Sequence, residues 1–180
     1  HAQFRRQRQM CIRDSKEIDL FCNRIKSYNP LTNEKLKKMA DDIPRVAGDI
    51  LPNEKLDCIA YGCTSGTIAA GYESIFEKVN IAKPNTKVTT PITSAIKAIK
   101  TLGIKRLSIF TPYTDEINQS VINYFKKEDI NISELSYFDI ASDLDIGKVD
   151  QDYLFEALTK IDLSKSCLLY TSDAADETER

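Results

Sequence analysis

Helical periodicity alternates with short apolar runs along most of this chain, and that alternation restricts the fold more than any other feature. Thr32 stands as an N-cap, and Leu36, Met39, Ile43, Val46, Ala47 and Ile50 then recur at helical spacing, with Pro44 expected to break the stretch in two. Residues 56–61 (LDCIAY) read as a buried strand ended by Gly62, residues 65–78 as a helix and residues 87–90 as a short strand. Pro91 starts the next helix, with Ile92, Ala95, Ile96 and Ile99 on its apolar face and Gly103 at its end. Strands over 106–110 and 130–138, helices over 115–127 and 151–161, and an opening strand over 18–22 complete the pattern. Such alternation produces βαβ units, so the expected fold class is α/β, with parallel sheets flanked by helices. A boundary between two α/β lobes is expected near Thr111.

The length of 180 residues suits one large α/β domain or two small ones. A net charge of −2 offers no electrostatic footing for nucleic acid or an anionic membrane surface. No apolar run approaches the ~20 residues of a membrane span, and the first residues do not have the form of a secretory signal. Five cysteines without close pairing give neither zinc spacing nor a disulfide framework, so a reduced, cytoplasmic protein is expected.

Composition breaks sharply near both ends. All 17 lysines lie between Lys16 and Lys165, whereas five of the eight arginines lie in the first 15 or last 14 residues. Residues 6–15 (RQRQMCIRDS) and 167–175 (CLLYTSDAA) are encodable as one inverted repeat, of the kind left by a transposase adapter. Residues 1–15 and 167–180 are therefore expected to be adapter-like artefacts. The remainder divides into a first lobe over 16–110, lacking its start, and a truncated second lobe over 111–166. On that reading Cys11 and Cys167 do not belong to the biological protein.

Ligands of open parallel sheets bind at the carboxyl ends of strands. The segment Tyr61-Gly62-Cys63-Thr64-Ser65-Gly66-Thr67 lies at such an end. Cys63 stands at the entrance of the following helix, and Thr64 and Ser65 offer backbone N–H groups and hydroxyls. That setting favours an anion, whether a substrate carboxylate or a thiolate, and lowers a thiol from its ordinary pKa of about 8.5. The residues alone leave Cys63 open between a reactive thiol and a small side chain fitting a tight turn. Cys58, mid-strand, reads as a buried structural residue, and Cys22 leans the same way. A second strand end carries Thr111-Pro112-Tyr113-Thr114, where Tyr113 offers a hydroxyl to an anion or packs the loop. The glycine spacing matches neither a Walker loop nor a dinucleotide fingerprint. His1, the only histidine, lies in the suspect tail, which removes histidine catalysis and argues against a His-ligated metal.

The residues D57-CIAYGCTSGT-67, then Val88-Thr89-Thr90-Pro91, Leu102-Gly103 and Thr111-Pro112-Tyr113, resemble one branch of the Asp/Glu racemase superfamily. That branch holds the maleate cis-trans isomerases, the arylmalonate decarboxylases and the ectoine-utilisation proteins; residues 28–39 (YNPLTNEKLKKM) are similar to the last type. The resemblance implies two pseudo-symmetric lobes with the site between them, one cysteine from each lobe, and no metal or organic cofactor. It further implies acid–base or nucleophilic thiol chemistry on a small carboxylate substrate. Carried over, Cys63 is the catalytic cysteine of the first lobe, and Thr64, Ser65, Thr111 and Tyr113 bind substrate. The decarboxylases carry glycine where this chain has Cys63, which favours an isomerase or racemase. The alternative is a non-catalytic carboxylate-binding or regulatory protein on the same scaffold. Ser166-Cys167-Leu168 imitates the second-cysteine segment, but its adapter-like coding keeps Cys167 out of the expected site. Neither nucleic acid nor membrane is an expected partner, and self-association is left open.

Overall fold

The structure, a computed structural model, describes residues 18–171. His1, Cys11 and the outermost adapter-like positions fall outside this range. The fold is α/β, with parallel sheets flanked by helices. Strand β1 (Cys58–Ala60) pairs with β2 (Lys87–Thr89), and β3 (Arg106–Thr111) lies between β4 (Asn131–Tyr137) and β5 (Leu168–Thr171). Every pairing is parallel, with one register shift between β3 and β4 at Leu107/Ser108. β5 falls in the segment whose codons read as adapter-like; Leu-Leu-Tyr-Thr is apolar and strand-prone whatever its origin, and it covers an edge of β3.

The helical signals act as local chemistry dictates. Thr32 accepts the Lys35 N–H at 3.2 Å and starts α1 (Asn33–Met39). A 3-10 turn at Ala40–Asp42 follows, and α2 (Ile43–Gly48) takes Pro44 into its first turn, where its missing N–H is harmless. Thr90 caps α5 (Pro91–Thr101), whose Ile92, Ile96 and Ile99 are buried. Gly103, at φ 67°, follows its end in the left-handed region. Helix α6 (Asp115–Lys127) buries Ile117, Val121 and Phe125, with acids in its first turn and lysines in its last. The short α7 (Asp143–Ile146) and α8 (Gln151–Thr159) follow β4.

Three expectations are corrected. The run over 18–22 makes no strand, because no strand among the described residues supplies it with a hydrogen-bond ladder; Cys22 is exposed rather than structural. The strand expected over 56–61 shortens to β1, and Cys58 is exposed rather than buried. Among the described residues β1 pairs only with β2, so Cys58 and Ala60 meet solvent. The helix expected over 65–78 is two helices, α3 (Thr64–Ala70) and α4 (Tyr72–Ala82). They are separated by Gly71 at φ 83° and ψ 141°, a conformation that breaks the helix and that L side chains rarely adopt.

One apolar cluster runs from Leu36 and Met39 through Ile75, Val79, Ile92 and Ile96 to Leu107, Ile109, Val121 and Phe125. Each large side chain so buried contributes about 1.5–3 kcal/mol. The segment before α1 also crosses to distant sequence. Leu31 N–H donates to the Ala141 carbonyl at 2.7 Å, the Asn29 side-chain oxygen accepts from Asp143 N–H at 2.9 Å, and Glu116 accepts from Asn33 N–H at 3.1 Å.

Candidate active site

Tyr61, directly after β1, still donates its N–H to the Thr89 carbonyl at 3.0 Å, so the sheet carries the chain to the site before it turns. Gly62 follows, and Cys63 takes an extended conformation (φ −132°, ψ 112°) as the N-cap of α3. An extended N-cap leaves the first helical N–H groups without backbone acceptors. Here the Cys63 sulfur fills that role, accepting the Gly66 N–H at 3.2 Å. The Ser65 hydroxyl lies 3.8 Å from the same sulfur. Thr67 fastens the turn from the other side: its N–H and hydroxyl both donate to the Cys63 carbonyl, at 3.1 and 2.6 Å.

Cys63 is half-buried, whereas Thr64, Ser65, Gly66 and Thr67 are buried. With α3 ending at Ala70, its seven residues give a short dipole. The electrostatics at the sulfur therefore rest on the Gly66 N–H, which donates to it, and on the neighbouring Ser65 hydroxyl, a contact in which either atom can donate, rather than on the long helix expected from the sequence. A sulfur that accepts hydrogen bonds is favoured as the thiolate.

Gly66 is part of the sulfur's environment. A Cβ on it would lie 2.7 Å from the Tyr61 hydroxyl oxygen, 2.9 Å from Cys63 Sγ and 3.1 Å from Met39 Cε. Only a residue without a side chain lets these three groups converge. The Tyr61 hydroxyl is buried without a hydrogen-bond partner. Burial pushes this phenol well above its usual range, and the adjoining Cys63 adds in the same direction, so Tyr61 is neutral at physiological pH. Neither Tyr61 nor Gly66 was picked out from the sequence as functional. The available signal was their place two residues before and three after the cysteine.

The other expected residues sit at the carboxyl end of β3. Thr111 is fully buried and its hydroxyl donates to the Asn118 side-chain oxygen. Asn118 in turn donates to the Tyr113 carbonyl at 3.0 Å, so α6 holds the Thr111-Pro112-Tyr113 turn in place. Tyr113 is 1% exposed and belongs to the cluster against which Cys63 packs. Helix α3 packs on α6, bringing the two strand ends into one region. Thr64 and Ser65 are thus placed beside Cys63, Tyr113 is packed within the same cluster, and the Thr111 hydroxyl is committed to fixing the turn.

Cys167 is exposed and lies at the entry of β5, where its N–H donates to the Arg106 carbonyl at 3.1 Å. Arg106 begins β3, whereas Thr111 and Tyr113 lie at its far end, so Cys167 occupies the opposite end of this sheet. Cavities of about 300 Å³, beside Phe138 and Tyr153, and about 390 Å³, beside Lys83, do not include Cys63. Among the described residues, no group of three His, Cys, Asp or Glu side chains is arranged to hold a metal ion. No described helix is long and apolar enough to cross a membrane.

Comparison with known proteins places this geometry among relatives. The maleate isomerase of Geobacillus stearothermophilus is 27% identical over 143 residues, covering 76% of this chain and 57% of that protein. The maleate isomerase of Alcaligenes faecalis is 26% identical over 146 residues, covering 77% and 56%. The chain therefore spans just over half the length of these curated relatives. Among solved structures, a mutant of Nocardia farcinica maleate cis-trans isomerase with a covalently bound succinylcysteine intermediate superposes with a TM-score of 0.76. It is 17% identical, covering 88% of this chain and 67% of that one. The arylmalonate decarboxylase family matches residues 72–167, a stretch that holds Thr111 and Tyr113 and begins after Cys63. With that match spanning more than half of its length, the chain belongs to the arylmalonate decarboxylase family.

Proposed function

We propose that this chain is part of a cofactor-independent isomerase acting on a small unsaturated dicarboxylate of the maleate type, with Cys63 as the nucleophile. The observation that carries the reading is the Cys63 sulfur at the carboxyl end of β1, accepting the Gly66 N–H at 3.2 Å with the Ser65 hydroxyl beside it. In this reaction the thiolate adds to one alkene carbon, forming a C–S bond. The displaced π pair moves to the carbon next to the far carboxylate and takes up a proton there. The former double bond is then single and rotates. Loss of that proton and expulsion of the thiolate restore the alkene in its trans form. Hydrogen-bond donors at Thr64, Ser65 and Tyr113 hold the carboxylates and disperse the charge that develops during addition.

The maleate isomerases among the relatives support the cis-trans assignment over racemisation, as does the succinylcysteine held by the Nocardia enzyme. A thiol at position 63 separates the reading from decarboxylation, for which the resemblance implies glycine there. A partner acid from a second cysteine, implied by the resemblance, also belongs to this proposal, and Cys167 does not serve as that group. The competing reading is a carboxylate-binding protein without turnover.

The test is covalent. Incubation with maleate is expected to add the mass of one maleic acid at Cys63, located by peptide sequencing, and to add nothing to Cys63→Ser. The full-length gene product is expected to convert maleate to fumarate. Maleate binding without an adduct or turnover would transfer the chain to the non-catalytic reading.

A further inference from the structure

Tyr61 is a puzzle when viewed as packing alone. A buried hydroxyl without a partner is unfavourable, and phenylalanine would fill the same space without that penalty. The hydroxyl also occupies a specific place. It lies 2.7 Å from the point where a Cβ on Gly66 would stand, and Cys63 Sγ lies 2.9 Å from the same point. A residue with any side chain at position 66 would drive the two apart.

We propose that Tyr61 is a positioning residue for Cys63, its buried hydroxyl donating to the sulfur when the thiol ionises and so favouring the thiolate. The inference rests on the reading of Cys63 as a reactive thiol and adds a residue and a role to it. Tyr61 is kept as the neutral phenol, so it acts as a donor near neutral pH. On ionisation it would join the Gly66 N–H, which already donates to the sulfur, and the Ser65 hydroxyl 3.8 Å away, which can donate to a thiolate.

Other titratable groups do not compete for this role. The elements packed on α3 are α1, α4, α5 and α6. Charged residues on these helices, among them Glu34, Lys37 and Lys38 on α1, Glu73 on α4, Lys97 on α5 and Asp115 and Glu116 on α6, are exposed. Lys35 is half-buried and donates to the Asn29 carbonyl, and the Tyr72 hydroxyl donates to the Val88 carbonyl. Tyr113, buried in the same cluster, belongs to the turn after β3, whereas the Tyr61 phenol is shifted upward by burial first and then by Cys63 itself.

The experiment is site-resolved alkylation of the 180-residue chain by iodoacetamide across pH, comparing the parent with Tyr61→Phe. Trypsin leaves Cys58 and Cys63 on one peptide, so exposed Cys58 serves as an internal reference. Losing a hydrogen bond to the ionised form is expected to raise the pH midpoint of Cys63 alkylation by about one unit. Below the midpoint, Cys63 is then alkylated about tenfold more slowly relative to Cys58. The melting temperature is expected to stay level or rise, because the buried hydroxyl makes no hydrogen bond of good distance and angle in the fold. An unchanged midpoint overturns the proposal, and so does unfolding of Tyr61→Phe, which would make the hydroxyl a structural one. No substrate enters this assay, so its failure is distinct from failure of the maleate adduct at Cys63.

Discussion

Alanine at position 66 would place a methyl group where three side chains already meet. Its Cβ would be 2.7 Å from the Tyr61 oxygen and 2.9 Å from Cys63 Sγ, both closer than real Cβ contacts, and 3.1 Å from Met39 Cε. Met39 yields most easily, being flexible. The Tyr61 ring is nearly enclosed at 8% exposure, so its oxygen moves only with the core. The remaining relief is rotation of the Cys63 side chain away from the Gly66 N–H. Overpacking of this kind costs about 1–3 kcal/mol. Alanine recovers at most about 1 kcal/mol of helix propensity, and less at the end of a short helix than in its interior. A net loss of about 1–2 kcal/mol is expected for Gly66→Ala, measured by urea denaturation. The sulfur is also expected to lose its helix-entry hydrogen bond, which slows alkylation of Cys63 while Cys58 is unaffected. A variant as stable as the parent, with unchanged Cys63 reactivity, would show that the crowding relaxes without touching the sulfur and would refute this reasoning.

Asn118→Ala is expected to cost about 2–3 kcal/mol, read by thermal or chemical melting, because it strands the Thr111 hydroxyl and the Tyr113 carbonyl in a buried turn. At the surface, the Arg45 guanidinium beside Asp42 holds that carboxyl below its ordinary range. A carboxyl lowered in the folded state stabilises the fold above its unfolded pKa, and that stabilisation is lost as pH falls through the folded pKa. Asp42→Asn is therefore expected to melt slightly below the parent at neutral pH and together with it in strong acid. A difference that persists in acid would exclude the ion pair as its cause.

The signals that were legible before the structure were those enforced by the backbone itself. Thr32 and Thr90 cap because their hydroxyls replace missing acceptors, Pro44 splits a helix because it lacks an N–H, and the cysteine after Gly62 lands at a strand end. What escaped depended on neighbours distant in sequence. Cys58 looks buried within its strand, yet among the described residues β1 has no second pairing partner, and Cys58 is exposed. Gly71 resembles a tolerated helical glycine until its φ of 83° shows two helices meeting there. That the Thr111 hydroxyl donates to Asn118, one turn into the next helix, is likewise invisible in the Thr-Pro-Tyr segment itself. Tyr61 lies inside the run that carries the resemblance, but nothing in its own sequence environment reveals that its hydroxyl is buried beside Cys63.

The crossing contacts before α1 bear on how the chain comes together. Leu31 to Ala141 and Asn29 to Asp143 close loops of more than a hundred residues. Contacts of that separation form late, after most of the chain has been ordered, and they slow folding more than local helix contacts do. Once made, they couple the early sequence to the region following β4. Local opening near residue 30 then becomes linked to opening beside α7, and hydrogen exchange at Leu31 and Asp143 should rise and fall together.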